Sequence, residues 1–267
     1  DPRCMKTTDA GITWAEVDAA NSPTGATALD RLAIWFDRET PGDTGTVVHV
    51  GFYRSVAGAG TKTLYYYPFD TATDLWGTGV SVDSTTTTDP GTGGISITKA
   101  VGGNLGLAAT ISMSASYRLY RSTDDGATWT SKATPGEAAD DIVKLYAANL
   151  ADTNDIWAVY FDVSANQISL KTYDDSANSW SEDMISSAGG ITESTTHPLA
   201  AFDAAVRHSD GHLLLAYWSS FDTAGSDLVT WDITDGSSMT QMTDYSTNFD
   251  DMGYVAVFIN QQNDDVY

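Results

Sequence analysis

The chain has 267 residues, with 36 Asp and Glu against 13 Lys and Arg and a formal net charge of -23. A nucleic-acid surface needs clustered Lys and Arg, and no apolar run reaches the ~18 residues of a membrane span, so neither nucleic-acid binding nor membrane insertion is expected. Hydrophobic residues make up 42% of the chain, enough for a sizeable core, and the single Cys4 cannot form an internal disulfide.

The first feature along the chain is an octapeptide, Thr7-Thr8-Asp9-Ala10-Gly11-Ile12-Thr13-Trp14. Its Asp can accept hydrogen bonds from nearby backbone N–H groups, its Gly supplies a positive φ without steric cost, and its Trp gives a short hairpin an apolar anchor. Four short strands are predicted next, at 31–36, 46–54, 63–69 and 79–82, rich in β-branched and aromatic residues and bounded by Gly, Pro, Asp and Thr. Between the third and fourth lies a weaker octapeptide, 69–76, which keeps Trp76 but places Asp one position early. Strands at 95–101, 105–111 and 117–121 lead into a second full copy, Ser122-Thr123-Asp124-Asp125-Gly126-Ala127-Thr128-Trp129. Strands at 142–147, 156–163 and 167–173 lead into 173–180, which keeps Asp175 and Trp180 but has Ala177 in place of Gly. Strands at 199–206, 212–218 and 227–231 precede a remnant at 232–239, and the chain closes at Asp264-Asp265-Val266-Tyr267 in what reads as a second strand. No segment carries helical periodicity.

The two full copies share the pattern [Ser/Thr]-x-Asp-x-Gly-x-x-Trp, and Trp14, Trp76, Trp129 and Trp180 follow one another at intervals of 62, 53 and 51 residues, the size of a propeller blade. The pattern resembles the Asp-box, or BNR repeat, of sialidase-like β-propellers. The resemblance implies an all-β propeller of four-stranded antiparallel blades, with each box on the outer turn between third and fourth strands. Thr7, Asp9, Gly11, Trp14, Ser122, Asp124, Gly126 and Trp129, with Trp76, Asp175 and Trp180 from the weaker copies, are therefore expected to be structural. Residues 1–267 read as one domain: a half blade at 1–17, blades at 30–82, 95–134, 141–186 and 197–243, and a half blade at 254–267. Either the two halves complete a five-bladed ring, or the chain is an excerpt from a ring of six or seven blades. The second reading is favoured because Val266-Tyr267 looks like a strand cut in its middle.

The resemblance also implies what a sialidase needs: three Arg on the substrate carboxylate, a Tyr nucleophile activated by Glu, and an Asp acid. Here Arg118 and Arg121 flank a box on a third strand, far from the axis, and too few other Arg residues remain. Other propeller glycosidases set carboxylates around the axis. Asp30, Asp141 and Asp251 lie just ahead of first strands, with His197 in the equivalent place of another blade, and form the candidate ring for catalysis or ligand contact; the ring holds no Glu. Trp35, Tyr66 and Trp218 are candidate platforms for sugar rings, although strand alternation sends Tyr66 opposite to Tyr65 and Tyr67, so one side of that run must pack between blades. Asp pairs at 140–141, 250–251 and 264–265 offer oxygen ligands that would suit calcium in acidic loops, but none forms an EF-hand, and no cofactor or metal is expected. The expected function is a non-catalytic extracellular, cell-surface or virion module that recognises a glycan or protein partner at the propeller face, with membership of a larger polypeptide or assembly also expected. A glycoside hydrolase with axial carboxylates and a purely structural subunit are the alternatives.

Overall fold

Runs of β-branched and aromatic residues cut by turn formers fold as antiparallel strands throughout the computed structural model, which describes residues 2–23, 29–55, 62–87, 94–110, 116–138, 141–147, 150–185, 202–218, 228–235, 238–242 and 255–267. Strands β1 (Met5–Lys6) and β2 (Ala15–Glu16) form a hairpin around the first octapeptide. The first full sheet contains β3 (Leu29–Phe36), β4 (Val47–Ser55) and β5 (Lys62–Asp70), with β6 (Leu75–Trp76) and β7 (Val80–Thr87) sharing the outer edge of β5. The second contains β8 (Ile95–Lys99), β9 (Leu105–Thr110), β10 (Tyr117–Ser122) and β11 (Thr130–Ser131). The third contains β12 (Ile142–Tyr146), β13 (Ile156–Asp162), β14 (Gln167–Asp174) and β15 (Ser179–Met184). The fourth contains β16 (Phe202–Val206), β17 (Leu213–Trp218), β18 (Leu228–Asp235) and β19 (Ser238–Gln241), and a last hairpin pairs β20 (Ile259–Asn260) with β21 (Asp265–Val266). The one helical element among the described residues is a 3-10 turn at Asp37–Glu39.

Each full sheet runs through its strands in chain order, and β3, β8 and β12 pack side by side as the innermost strands of successive sheets. The sheets are the blades of a propeller. One continuous core fills the seams between them, drawing Tyr53, Leu64 and Tyr66 from the first blade, Leu105 and Leu107 from the second, Trp157 and Phe161 from the third, and Phe202, Leu213 and Leu215 from the fourth. Strand alternation makes this work, because each central strand presents apolar side chains to both neighbouring blades.

The two full octapeptides close with the same hydrogen bonds. In the second, the Gly126 N–H donates to Ser122 Oγ (2.8 Å), the Thr128 N–H to Asp124 Oδ1 (2.8 Å) and the Trp129 indole N–H to the Gly126 carbonyl (3.0 Å). In the first, the Gly11 N–H donates to Thr7 Oγ1 (2.9 Å), the Thr13 N–H to Asp9 Oδ1 (2.8 Å) and the Trp14 indole to the Gly11 carbonyl (3.2 Å). Both turns place two successive residues at positive φ, Ala10 and Gly11 at 56° and 91°, and Asp125 and Gly126 at 55° and 87°.

The weaker copies use a different turn. Asp174, not Asp175, accepts the Ala177 N–H (2.8 Å), while Asp175 reaches across the seam to Arg121. Asp70 plays the same part in the first blade, accepting the Ala72 N–H (2.9 Å). Each of these turns has a single left-handed residue, Asp74 at 59° or Asn178 at 52°. That is why Ala177 can stand where the full copies need Gly.

The hairpin at each end packs on a different blade. Cys4 and Val17 lie on Val50, Phe52, Phe69 and Trp76 of the first blade, and the Trp76 N–H donates to Asp18 Oδ2 (2.8 Å). At the other end the Val257 N–H donates to Asp203 Oδ2 (2.9 Å) and the Gln261 amide to the Val206 carbonyl (3.0 Å). Among the described residues β1 pairs only with β2, and β21 only with β20.

The two octapeptides separate backbone strain from packing. A Cβ at Gly126 would overlap the Tyr66 ring, whereas one at Gly11 meets nothing within 4 Å. Gly11→Ala should therefore cost only the left-handed backbone term, about 1–2 kcal/mol, and Gly126→Ala a further ~1–3 kcal/mol of overpacking. Chemical denaturation of the two variants checks the difference; equal losses would show that the Tyr66 seam tolerates the methyl group.

Candidate functional site

The first strands enclose a cavity of about 420 Å³ on the propeller axis. Ile34 and Trp35 of β3, Ser96 of β8, Lys144 and Tyr146 of β12, Val206 of β16 and Phe258 just before β20 form its walls. Arg38, Glu39, His208 and Gln261 form its rim, and each closely follows a first strand. Alternation along β3 aims Leu32 and Ile34 (48% and 61% exposed) away from the core and buries Trp35. Phe258, 65% exposed, adds a second apolar face. The cavity thus pairs apolar walls with a polar rim at the strand exits.

Several of these side chains are held in place. The Trp35 indole N–H donates to Thr40 Oγ1 (2.9 Å), whose hydroxyl donates to the Lys99 carbonyl (2.7 Å). The Lys144 ammonium donates to the Phe202 carbonyl (2.9 Å) and Asp203 Oδ1 (3.0 Å) and lies 4.6 Å from the Phe202 ring centroid. The Arg38 Nε–H donates to the Gly45 carbonyl (3.3 Å). Burial pushes the His208 imidazole below its ordinary value, so the neutral ring faces the cavity near pH 7. Glu39 is the one carboxylate among the described lining residues, whereas glycoside hydrolysis by paired carboxylates requires two.

Of the expected ring at the strand entrances, Asp141 is the one member whose side chain is described. Asp141 is buried, with Oδ2 accepting the Ala138 N–H (2.9 Å) and Oδ1 the Val163 N–H (3.1 Å). Its carboxylate serves the backbone where the chain enters the third blade, and it is not part of the axial wall. Asp30 lies in β3, but its side chain is outside the described residues, as are His197 and Asp251 altogether.

The aromatic candidates part company as well. Trp35 lines the axial cavity, and Trp218 lines a separate groove between the fourth blade and the last hairpin. Tyr66 is only 1% exposed; its ring lies 5.2 Å from that of Trp129, so it is a seam residue and no sugar platform. The rim residues Arg38, Glu39, His208 and Gln261 escape a sequence reading. A strand's exit toward the axis has no composition of its own, and only the Gly-, Pro- and Asp-rich stretch that follows β3 hints at a sharp turn there.

A buried network fixes one side of that rim. Asp37, 2% exposed, belongs to the same 3-10 turn as Arg38 and Glu39. Its Oδ1 accepts from His49 Nε2 (2.9 Å) and Lys99 Nζ (2.7 Å), and its Oδ2 accepts the Val47 N–H (2.8 Å). With Nε2 donating to Asp37, His49 Nδ1 accepts the Tyr66 hydroxyl (2.7 Å). Burial raises the Tyr66 phenol well above its ordinary value and keeps it a donor. Burial alone would raise Asp37 too, but hydrogen bonds from His49, Lys99 and Val47 outweigh it and hold the carboxyl well below its ordinary 3.8. A carboxyl lowered on folding stabilises the protein above the ordinary value and loses that contribution as pH falls through the folded one. Asp37→Asn should cost about 1.5–3 kcal/mol at pH 7, because it removes the charged acceptor that His49 and Lys99 share and leaves Lys99 with Asp43 alone, and the gap to wild type should narrow below pH 3.8. Urea denaturation of both proteins across that range checks the sign; a gap that widens in acid would refute the ionised assignment.

No protein-family model matches the sequence, and no curated protein matches it. Solved structures do. A protein of unknown function from Dyadobacter fermentans superposes with a TM-score of 0.52 at 12% identity, over 91% of this chain and 72% of that one. The Hadza microbial sialidase Hz136 gives 0.54 at 14% identity, over 91% of this chain and 52% of its own. A triple mutant of AofleA from Arthrobotrys oligospora gives 0.51 at 13% identity, over 88% of this chain and 62% of its own. The chain spans about half of the sialidase it resembles. With its antiparallel blades around one axial cavity, the chain is an all-β propeller of the sialidase-like fold.

Proposed function

We propose that this chain is a non-catalytic recognition module of an extracellular, cell-surface or virion protein, that it holds a glycan in the axial cavity, and that its octapeptides are Asp-boxes that brace the blades. The observation that carries this reading is the cavity's chemistry. Exposed Phe258 offers a flat aromatic face and exposed Ile34 an aliphatic contact to the C–H groups of a sugar ring, while Arg38, Gln261 and Ser96 offer hydrogen bonds to its hydroxyls. A lone Glu39 supports binding over cleavage, since no second described lining carboxylate is there to act as nucleophile or base. One structure of the same fold is named a sialidase, and that name directs the first screen to glycans. Among the described residues, no three His, Cys, Asp or Glu side chains gather as a ligand set, and the recognition proposed here uses no metal.

A glycan array probed with the 267-residue chain, with the bound glycans then checked by mass spectrometry, tests the reading directly. The expected outcome is binding without cleavage. Arg38→Ala and Phe258→Ala should each weaken it by about tenfold or more, which is ~1.4 kcal/mol, with the unfolding transition unchanged. Cleaved glycans would overturn the non-catalytic assignment; binding that ignores both substitutions would move the site away from the axis. A chelator is expected to change neither affinity nor melting temperature.

A further inference from the structure

The cations near the axial cavity are bound to partners within the chain, with one exception. Lys144 gives its ammonium to the Phe202 carbonyl and to Asp203. Lys99, the last residue of β8, lies between Asp37 and Asp43 (2.7 and 2.8 Å). Arg207, next to His208 in the chain, holds Asp210 (2.6 Å) and Asp232 (3.2 Å). Arg38 is the exception, with its Nε–H on the Gly45 carbonyl, its guanidinium 5.9 Å from the Phe36 ring centroid, and no described carboxylate paired with it.

The carboxylates are not matched in the same way. The rim of the cavity is built where first strands end, so the segments after β3, β12, β16 and β20 share one end of the propeller. These segments carry Glu39, Asp152, Asp155 and Asp264, none of them in an ion pair among the described residues. Asp152 and Asp155 accept only the Asn154 and Asp175 backbone N–H groups (3.0 and 2.8 Å) there. Four carboxylates against the one guanidinium of Arg38 leave this end of the molecule negative.

Two of the four act at the cavity mouth itself. Asp264 shares the last turn with Gln261, and its charge reaches the rim: burial lowers the His208 imidazole, while a hydrogen bond to the Glu39 backbone and the Asp264 carboxylate act to raise it. Glu39 lines the cavity with an exposed side chain. Its Oε2 meets the Phe36 N–H (3.4 Å), and its Oε1 has no partner among the described residues. A sugar hydroxyl can donate to such an oxygen. An ionised carboxylate or sulfate ester has no proton to give and brings a like charge to it. Arg38 can offset one of those charges and not both.

We propose that the axial cavity takes an uncharged glycan and that Glu39 is the residue that turns carboxylated and sulfated ones away. The inference rests on the axial cavity being the glycan site. Glu39 accepts from a ring hydroxyl and Arg38 donates to one. Ser96 adds a second donor, because its Oγ accepts the Leu145 N–H (2.8 Å) and leaves its own proton to give. The same carboxylate therefore contributes to binding and sets the charge that the cavity tolerates.

The test uses the full 267-residue chain on immobilised oligosaccharides in matched groups, each uncharged sugar beside its uronic acid and its sulfate ester. Wild type is expected to hold the charged members at least about tenfold more weakly than their uncharged counterparts. That ratio should shrink as salt is raised from about 20 to about 500 mM. Glu39→Gln keeps the size and an acceptor oxygen but removes the charge, and should narrow the ratio about fivefold or more; binding of the uncharged member shows in the same experiment that the variant is folded. A ratio that neither salt nor Glu39→Gln changes, or a charged member bound more tightly than its uncharged counterpart, overturns this inference and leaves the axial site standing if Arg38→Ala still weakens binding. Binding to no member, or binding indifferent to Arg38→Ala, overturns the glycan reading itself and this inference with it.

Discussion

The contact on which the rest of this structure depends is the close approach of Gly126 to the Tyr66 ring. Only a residue without a Cβ lets the second blade's turn settle there, and Tyr66, once covered, holds its hydroxyl on His49, which in turn donates to Asp37. Asp37 belongs to the turn that carries Arg38 and Glu39 to the axial cavity. A glycine in a peripheral turn is thus linked to the cavity rim by one packed and hydrogen-bonded path. The octapeptide braces the outside of the blade and helps place the site at its centre.

The unusual charge has a local use in the same architecture. Asp9, Asp124, Asp70 and Asp174 each accept a backbone N–H within their own turns, and Asp43, Asp152 and Asp162 do so at Gly45, Asn154 and Ala165. A short carboxylate reaches such an N–H with little loss of side-chain entropy, which favours Asp over Glu at these positions. The scarce cations are placed with equal economy. Lys99 joins Asp37 between the first and second blades, Arg121 joins Asp175 between the second and third, and Lys144 joins Asp203 between the third and fourth. Among the described residues, each of these three seams of an apolar core therefore carries at least one polar pairing that fixes how the neighbouring blades lie against each other.

Reading the strands from the sequence succeeds because they are short, alternating and punctuated. The stretch 156–163 differs from the observed β13 only by its last residue, and 117–121 becomes β10 with one residue added. Reading the weaker octapeptides falls short for a specific reason. Asp174 and Asp175 are adjacent and chemically identical, so only the backbone shows which one faces the turn and which faces Arg121. Asp141 misleads in the same way, because a carboxylate before a first strand looks alike whether it faces the axis or pairs with the Ala138 and Val163 amides.

The β class and the chemistry of the turns are legible in the sequence because they depend on residues within a few positions of one another, and the blade repeat is legible because those local patterns recur at near-regular intervals. Left-handed glycines, Asp acceptors and period-two alternation act locally and leave a local record. Where a cavity lies and which polar groups line it emerge from the packing of the blades. Ile34, Ser96, Lys144, Val206 and Phe258 come from strands far apart in the chain, and nothing in their neighbours indicates that they share one space. That packing also sets which tryptophan is covered, since Trp14 and Trp129 have the same turn and the same hydrogen bond but only one has a tyrosine to rest on. Burial is a property of what arrives from elsewhere in the fold.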